Sequence, residues 1–364
     1  MILPFDEAGR GETVVLLHAR PADRTMWRAH LPVLAEAGVR AIALDLPGHG
    51  DAAAPQRHAV APWTDVLETL DHLAVDRFIL AGNSLGALVA LQIAVTEPRR
   101  VRGSVSIGYR PHDLPPSSRL QSAWDRERAA LEHGDIEAAV QAGVEAWTSP
   151  KATDDVREQA AVMMRNQLVA RVAYGEPKPV ADPLRKGTGV LRDMGVPALV
   201  GVGELDMPDF FEGGAGLSDE LGAGEVVVLS DAGHLAPFEQ PAAFCALLLD
   251  FVGRLPGSSR VPGGMAGSPG EAQVRRQRSG RAPWSVRWQE PCTRTSAGHW
   301  RTAVGTRYDR SSPLPTLPTL RERAWPSSRL CHRLIHSRKN VLPCVARRAR
   351  DMLQERKIVL YSYE

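Results

Sequence analysis

The sequence predicts an α/β protein with a doubly wound, mostly parallel sheet, and three observations support this prediction. Apolar, partly β-branched runs such as residues 13–17 and 39–44 are typical of strands buried on both faces. Segments of helical period, such as residues 61–74 and 85–96, stand between these runs. Strands and helices alternate along the chain, and this order is typical of a parallel sheet covered by helices on both sides.

The expected elements follow one another in a regular order. Strands are predicted near residues 13–17, 39–44, 77–81, 101–108, 197–203 and 225–229. Helices are predicted at residues 25–37, 61–74, 85–96, 119–133, 135–148, 153–171 and 241–254. The last of these helices is expected to close the fold.

A stretch without strands separates two of the core strands. Residues 111–195 show only helical pattern, and Asp135 is a suitable N-cap for one of the helices. Four large apolar side chains in this stretch could line an apolar pocket, although packing against the core is the favoured interpretation for each of them. They are Trp124, Trp147, Met163 and Met164.

The composition of the chain changes sharply near Leu255. Residues 1–255 carry 23 Lys and Arg against 35 Asp and Glu, whereas residues 256–364 carry 21 against 7. The second part opens with a Pro- and Gly-rich linker and continues rich in Arg, Pro, Ser and Trp, which is typical of low order. Its arginines and tryptophans would suit nucleic-acid binding. The abrupt loss of patterning instead favours a shifted reading frame or a read-through fusion.

Several classes of protein are excluded by what the sequence lacks. The four cysteines, at positions 245, 292, 331 and 344, show no spacing typical of a metal site or a disulfide framework. The chain has neither a secretory h-region near Met1 nor a run of about 18 apolar residues that could span a bilayer. A cytoplasmic protein without cofactor or metal is expected.

The most informative motif is G-N-S-L-G at residues 82–86. It follows the predicted strand at residues 77–81 and precedes the helical run of residues 87–94. A turn this tight holds Ser84 strained, with its hydroxyl projecting from the carboxyl end of the sheet. Glycine is expected at both flanking positions because a Cβ there would collide with the neighbouring strand or helix.

An acid and a base follow two later strands. A serine hydroxyl is a poor nucleophile at neutral pH, so a base must take its proton and a carboxylate must orient the base. The strand at residues 197–203 runs into Asp206, and the strand at residues 225–229 is followed by His234. Three other carboxylates are close enough in sequence to replace Asp206 as the acid: Glu204, Asp209 and Asp231.

Taken together, these segments resemble the α/β-hydrolase family over about residues 1–255. In this family the chain order is nucleophile, acid, histidine. The resemblance therefore implies that Ser84 is the nucleophile, His234 the general acid and base, and Asp206 the carboxylate that orients His234.

The resemblance also implies an oxyanion hole made by the backbone N–H groups of Leu85 and Arg20. The family's His-Gly-x loop is here His18-Ala19-Arg20, and alanine resists the positive φ that glycine allows. The Arg20 side chain is expected to face either the substrate or solvent. The family's D-x-P-G-x-G loop occurs at residues 45–50, where His49 is interpreted as structural, and Trp27 is expected in the core.

Within the family, the chain is similar to small bacterial hydrolases related to 3-oxoadipate enol-lactonases, non-haem haloperoxidase-like esterases and meta-cleavage-product hydrolases. The resemblance implies a core formed by residues 1–110 and 196–255 and a helical cap at residues 111–195. The basic tail at residues 256–364, which the composition indicates, lies outside it. The resemblance also implies hydrolysis of a small carboxylic ester or lactone.

The alternatives to ester hydrolysis are hydrolysis of a C–C bond in a ring-fission product and ligand binding without catalysis. Haloalkane dehalogenases and epoxide hydrolases of this fold need a carboxylate nucleophile, so a serine at this turn argues against both. A small-molecule substrate is the expected partner, no membrane is involved, and nucleic acid would bind only through the tail. The oligomeric state is not predicted.

Overall fold

The computed structural model of the chain describes residues 1–53, 59–176, 178–186 and 190–257, and the backbone of residues 274–277. All of these residues belong to one compact unit. Most of the predicted basic tail lies outside the described residues, as do three of the four cysteines. Cys245, the remaining one, is buried with a free thiol.

The centre of the unit is a mostly parallel sheet. Its strands are β1 (Phe5–Ala8), β2 (Glu12–Leu17), β3 (Val39–Leu44), β4 (Phe78–Asn83), β5 (Val101–Ile107), β6 (Ala198–Gly203), β7 (Val226–Leu229) and β8 (Val274–Gln277). The spatial order is β1-β3-β2-β4-β5-β6-β7-β8. The pairings from β3 to β7 are parallel, and the edge strands β1 and β8 are antiparallel to their neighbours. The predicted α/β fold class is confirmed.

Helices cover both faces of the sheet. They are α1 (His30–Glu36), α2 (Pro62–His72), α3 (Leu85–Thr96), α4 (Ser118–Glu132), α5 (Ile136–Trp147), α6 (Asp154–Tyr174), α7 (Pro208–Leu221), α8 (Ala236–Glu239) and α9 (Pro241–Arg254). The predicted helix at residues 25–37 is divided into a short 3₁₀ turn, Arg24–Trp27, and α1. Among the described helices, none has both the length and the apolar character that a bilayer span requires.

The strand sequences explain why the sheet is buried on both faces. Val14 and Leu16 of β2 pack into the core on one side of the sheet, and Val15 and Leu17 pack on the other side, all of them 0% exposed. A helix that is apolar all round must also be central. This holds for α3, whose residues 86–94 are all buried.

The strand-free stretch forms three helices, α4, α5 and α6, between β5 and β6. Each begins at a side-chain cap, since Ser117, Asp135 and Thr153 accept hydrogen bonds from backbone N–H groups in the first turn. Met163 and Met164 are buried in the core, as the packing interpretation expects. Trp27 is 0% exposed and also lies in the core, 5.6 Å from Phe244 between ring centres.

Candidate active site

Ser84 lies at the turn between β4 and α3. Its φ of 54° and ψ of −110° lie outside the conformations that side-chain-bearing residues prefer. The flanking glycines allow this turn. A Cβ on Gly82 would come within 2.3 Å of the Gly86 backbone, and one on Gly86 would come within 2.1 Å of the Leu17 carbonyl oxygen. The steric reason predicted for both glycines is therefore observed.

His234 and Asp206 form a buried hydrogen-bonded pair. His234 Nδ1–H donates to Asp206 Oδ2 at 2.9 Å, and the second oxygen, Oδ1, accepts from the Met207 N–H at 2.7 Å. The His234 ring lies against Phe210, with ring centres 3.9 Å apart, and against Trp147 at 5.1 Å. With Nδ1 protonated and held by a carboxylate, Nε2 is left as a base.

The other candidate acids have different partners. Glu204 Oε2 accepts from the Asp231 N–H at 3.1 Å, and the Asp231 carboxylate pairs with Lys151. Asp209 accepts from the Ser117 N–H and hydroxyl at 2.7 and 2.6 Å. Of the four carboxylates considered, Asp206 is the one that the structure brings to His234.

Two further side chains hold the His234 loop in place. Asn83, which precedes Ser84, donates through Nδ2 to the His234 carbonyl and to the Ile107 carbonyl, both at 3.1 Å. Glu239 accepts from the Gly233 N–H at 3.0 Å and from the Ser149 N–H at 2.8 Å. Burial raises the pKa of Glu239 above its usual range, although these N–H groups oppose the shift.

Sequence reasoning missed both of these side chains. Asn83 occupies a position that the motif leaves open, and its partner is 151 residues away. The one local signal for Glu239 is an acidic residue in an otherwise apolar run just after His234.

Both predicted oxyanion residues, Leu85 and Arg20, line the same cavity as Ser84. Leu85 is the first residue of α3, where the N–H groups have no acceptor within the helix. The loop after β2 carries Arg20, and α3 packs tightly against the end of β2 through Gly86. Ala19 is not among the described residues with positive φ, so the loop does not require glycine at this position.

The Arg20 side chain lines the cavity and is ion-paired. Its Nη2 lies 2.7 Å from Glu176 Oε1, which also lies 3.5 Å from Nη1 of Arg171 on α6. Burial acts to raise the pKa of Glu176, but these two arginines hold it below its usual range. Glu176, which follows α6, thus links the loop after β2 to the helical stretch through these two ion pairs.

Ser84 opens on a cavity of about 640 Å³. Leu85, His234 and Arg20 line it together with residues of the helical stretch, including Trp124 and Trp147. Cavities of this size accommodate small organic molecules. Met163 and Met164 are not among its lining residues.

None of the residues in the loop at residues 45–50 lines the cavity. Asp45 is 0% exposed and accepts from the backbone N–H groups of Arg24 and Asp51, both at 2.8 Å. His49 is buried beside His18, and burial lowers its pKa to about 3.

Within the described part of the chain, no three His, Cys, Asp or Glu side chains are grouped as a metal site requires.

Comparison with known proteins places these features in a family context. The model of the alpha/beta hydrolase family matches residues 14–247. Over 273 residues, the chain is 28% identical to a pimeloyl-[acyl-carrier protein] methyl ester esterase of Aeromonas salmonicida, covering 70% of this chain and 100% of the esterase.

Higher identity is found over shorter regions. The chain is 44% identical over 100 residues to the dihydrolipoyllysine-residue acetyltransferase component of the acetoin cleaving system of Pseudomonas putida. That match covers 27% of each protein, so the chain spans about a quarter of that relative's length.

The fold is also similar to that of solved structures. A thermophilic esterase from Thermogutta terrifontis, with malate bound, superimposes with a TM-score of 0.56 at 26% identity. The superposition covers 68% of this chain and 92% of the esterase.

Proposed function

Since the chain belongs to the alpha/beta hydrolase family, we propose that it is a serine hydrolase that cleaves a small carboxylic ester or lactone through an acyl-enzyme. The observation that carries the proposal is the buried His234–Asp206 pair, of which His234 lines the same cavity as the strained Ser84. Asn83 supports it further, because one side chain links the position before Ser84 to the His234 backbone.

In the proposed reaction, Ser84 Oγ attacks the substrate carbonyl while His234 Nε2 takes the hydroxyl proton. Asp206 stabilises the imidazolium that forms. The N–H groups of Leu85 and Arg20 donate to the oxyanion, and the positive end of the α3 dipole adds to this stabilisation. His234 then protonates the leaving oxygen, and water attacks the acyl-enzyme by the same route to release the acid.

The substrate class rests on the size of the cavity and on the relatives. A cavity of about 640 Å³ suits a small ester or lactone, and two similar proteins are described as esterases. A serine nucleophile yields an acyl-enzyme from either substrate, and in a lactone the leaving group stays attached to the acyl chain.

The proposal is tested by hydrolysis of 4-nitrophenyl acetate and, with a pH-stat, of a small lactone. Replacing the nucleophile in Ser84→Ala is expected to lower kcat at least about 1,000-fold. The matched control is Ser104→Ala, which removes a buried hydroxyl from β5 outside the cavity and should keep the activity. Equal rates in the wild type and Ser84→Ala would refute the proposal, as would a wild type inactive on every ester and lactone.

A further inference from the structure

Arg110 is a largely buried cation in the wall of the cavity that the proposed reaction does not use. It follows the end of β5 by three residues, and its side chain is 10% exposed. Burial lowers the pKa of Arg110, although Asp209, Asp113 and Glu212 all act to raise it. The nearby carboxylates thus compensate only part of the cost of burying this charge.

The hydrogen bonds of Arg110 are incomplete. A guanidinium carries five N–H donors. Nη2 of Arg110 donates to the Leu114 carbonyl, and the guanidinium carbon lies 5.7 Å from the centre of the Trp124 ring. Nε has no hydrogen-bond partner among the described residues.

Asp209 does not complete these bonds. Its Oδ1 lies 3.9 Å from Arg110 Nε, beyond hydrogen-bonding distance. Both of its carboxylate oxygens already accept hydrogen bonds from Ser117. Asp209 therefore supplies charge near Arg110 without saturating the guanidinium.

The other cations of the cavity are bonded to carboxylates of the protein. Arg20 pairs with Glu176, and Arg171 pairs with Glu127 at 2.6 Å. Arg128 pairs with Asp125. Among the cavity-lining arginines that the structure describes, Arg110 alone lacks a carboxylate within hydrogen-bonding distance.

We propose that Arg110 is a carboxylate-binding residue, and that the substrates are esters or lactones that also carry a free carboxylate, such as monoesters of dicarboxylic acids. The planar guanidinium matches a carboxylate in geometry, and a hydrogen bond between two charged groups is stronger than one between neutral groups. The substrate's carboxylate is unchanged by the reaction, in which water adds across the ester bond to give an acid and an alcohol. This inference rests on the proposed esterase function and assigns its substrate class.

The test compares matched pairs of esters that differ only in charge. Monomethyl esters of the C4 to C8 dicarboxylic acids are each paired with the methyl ester of the corresponding ω-amide, and hydrolysis is followed with a pH-stat. The wild type should prefer the carboxylate member of at least one pair by about tenfold to a hundredfold in kcat/KM, through a lower KM. In Arg110→Gln this preference should disappear, because the uncharged glutamine no longer distinguishes the carboxylate ester from the ω-amide ester.

Two controls separate charge from folding. Arg165→Gln removes the same charge from an exposed ion pair with Glu137 and should keep the preference. Arg110→Lys keeps the charge but lacks the planar pair of donors, so it should keep part of the preference for the carboxylate ester. A wild type without preference, or a preference that survives in Arg110→Gln, would overturn the inference.

A binding measurement separates failure of this inference from failure of the proposed function. Calorimetry with free glutarate and adipate on Ser84→Ala tests the carboxylate site without any turnover. Binding that is lost in Ser84→Ala/Arg110→Gln supports the site even if no ester is cleaved. The absence of dicarboxylate binding, in a protein whose wild type cleaves neutral esters, would overturn the site alone.

Discussion

At the scale of single residues, Asp206 decides which nitrogen of His234 carries the proton. The hydrogen bond from His234 Nδ1–H to Asp206 Oδ2, 2.9 Å long, fixes both the tautomer and the orientation of the ring. Asp206 is in turn held by the Met207 N–H, which orients its carboxylate toward His234. An amide in place of this carboxylate would favour the opposite tautomer and could not stabilise an imidazolium.

We therefore predict that Asp206→Asn lowers kcat about 1,000- to 10,000-fold while the protein remains folded. Ester hydrolysis under saturating substrate measures the effect. The matched control is Asp231→Asn, another candidate acid from the sequence, which pairs with Lys151 at the surface. A large loss in Asp231→Asn with a small one in Asp206→Asn would reverse the assignment of the acid.

His30 links stability to pH. It is 0% exposed, its Nε2–H donates to the Pro237 carbonyl at 3.0 Å, and burial lowers its pKa to about 4. In the unfolded chain a histidine titrates near pH 6.5. Between these two values the unfolded chain binds a proton that the folded chain does not, so stability is lost as the pH falls through this window.

From this difference, we predict that protonation of His30 in the unfolded chain makes the free energy of unfolding about 2 kcal/mol smaller at pH 5 than at pH 7.5. Urea unfolding of the wild type and of His30→Gln at both pH values measures the contribution of His30, because glutamine can still donate to the Pro237 carbonyl but does not titrate. His133→Gln, at an exposed histidine, is the control. The same pH dependence in the wild type and His30→Gln would show that His30 is not responsible.

At the scale of elements, the contact between α3 and the end of β2 sets the geometry of the site. Gly86 brings the first turn of α3 against the Leu17 carbonyl, and Leu85 and the loop with Arg20 then line the same cavity. Because the neighbour of Gly86 is backbone, an added methyl group can be accommodated only by moving the helix away from the strand.

Accordingly, Gly86→Ala should destabilise the protein by about 1–3 kcal/mol and lower ester hydrolysis as well. Gly216→Ala, in α7, is the matched control, since a Cβ there meets nothing within 4 Å. That control is expected to stabilise the protein by up to about 1 kcal/mol, because alanine favours a helix more than glycine does. Thermal unfolding and ester hydrolysis at 25 °C are measured for both variants. A Gly86→Ala protein as stable and as active as the wild type would contradict this account.

Long buried elements were predictable from the sequence, and short or glycine-rich ones were not. The strands β2 to β7 lie within two residues of their predicted bounds because their apolar runs are continuous. The four-residue edge strand β1 offers too short a pattern. In α7, the glycines at 213, 214 and 216 conceal a helical period that tertiary packing supports.

Some residues of the candidate site were likewise predictable from the sequence, and others were not. Ser84, Asp206 and His234 follow from a motif and from strand ends. Arg110 and Glu176 depend on which distant segments meet: Glu176 and Arg20 are 156 residues apart. No local pattern in one sequence encodes such a contact.

At the scale of the whole molecule, the charge of the chain divides into two unlike parts. The acidic first 255 residues contain every described helix and the strands β1 to β7, and the basic remainder contributes β8 along the edge of β7. The site residues all lie in the first part. The interpretation of the tail as an addition to a complete domain remains a prediction.

If that interpretation is correct, a chain that ends at Gly257 should keep its ester hydrolysis within about twofold, because no residue assigned to the reaction is removed. A chain that ends at Ser279 retains β8 and shows whether that strand adds to stability. Melting temperature and kcat/KM of both truncated chains, against the full chain, are the measurements. Loss of activity in both would show that the tail is required.

The measurement that tests the central claim most directly is intact-mass labelling with a fluorophosphonate, which reacts with an activated serine and needs no knowledge of the substrate. The account predicts one adduct on the wild type, none on Ser84→Ala and slow labelling of Asp206→Asn. An unlabelled wild type, or a Ser84→Ala variant labelled as fast as the wild type, would contradict the claim that Ser84 is a nucleophile activated by His234 and Asp206.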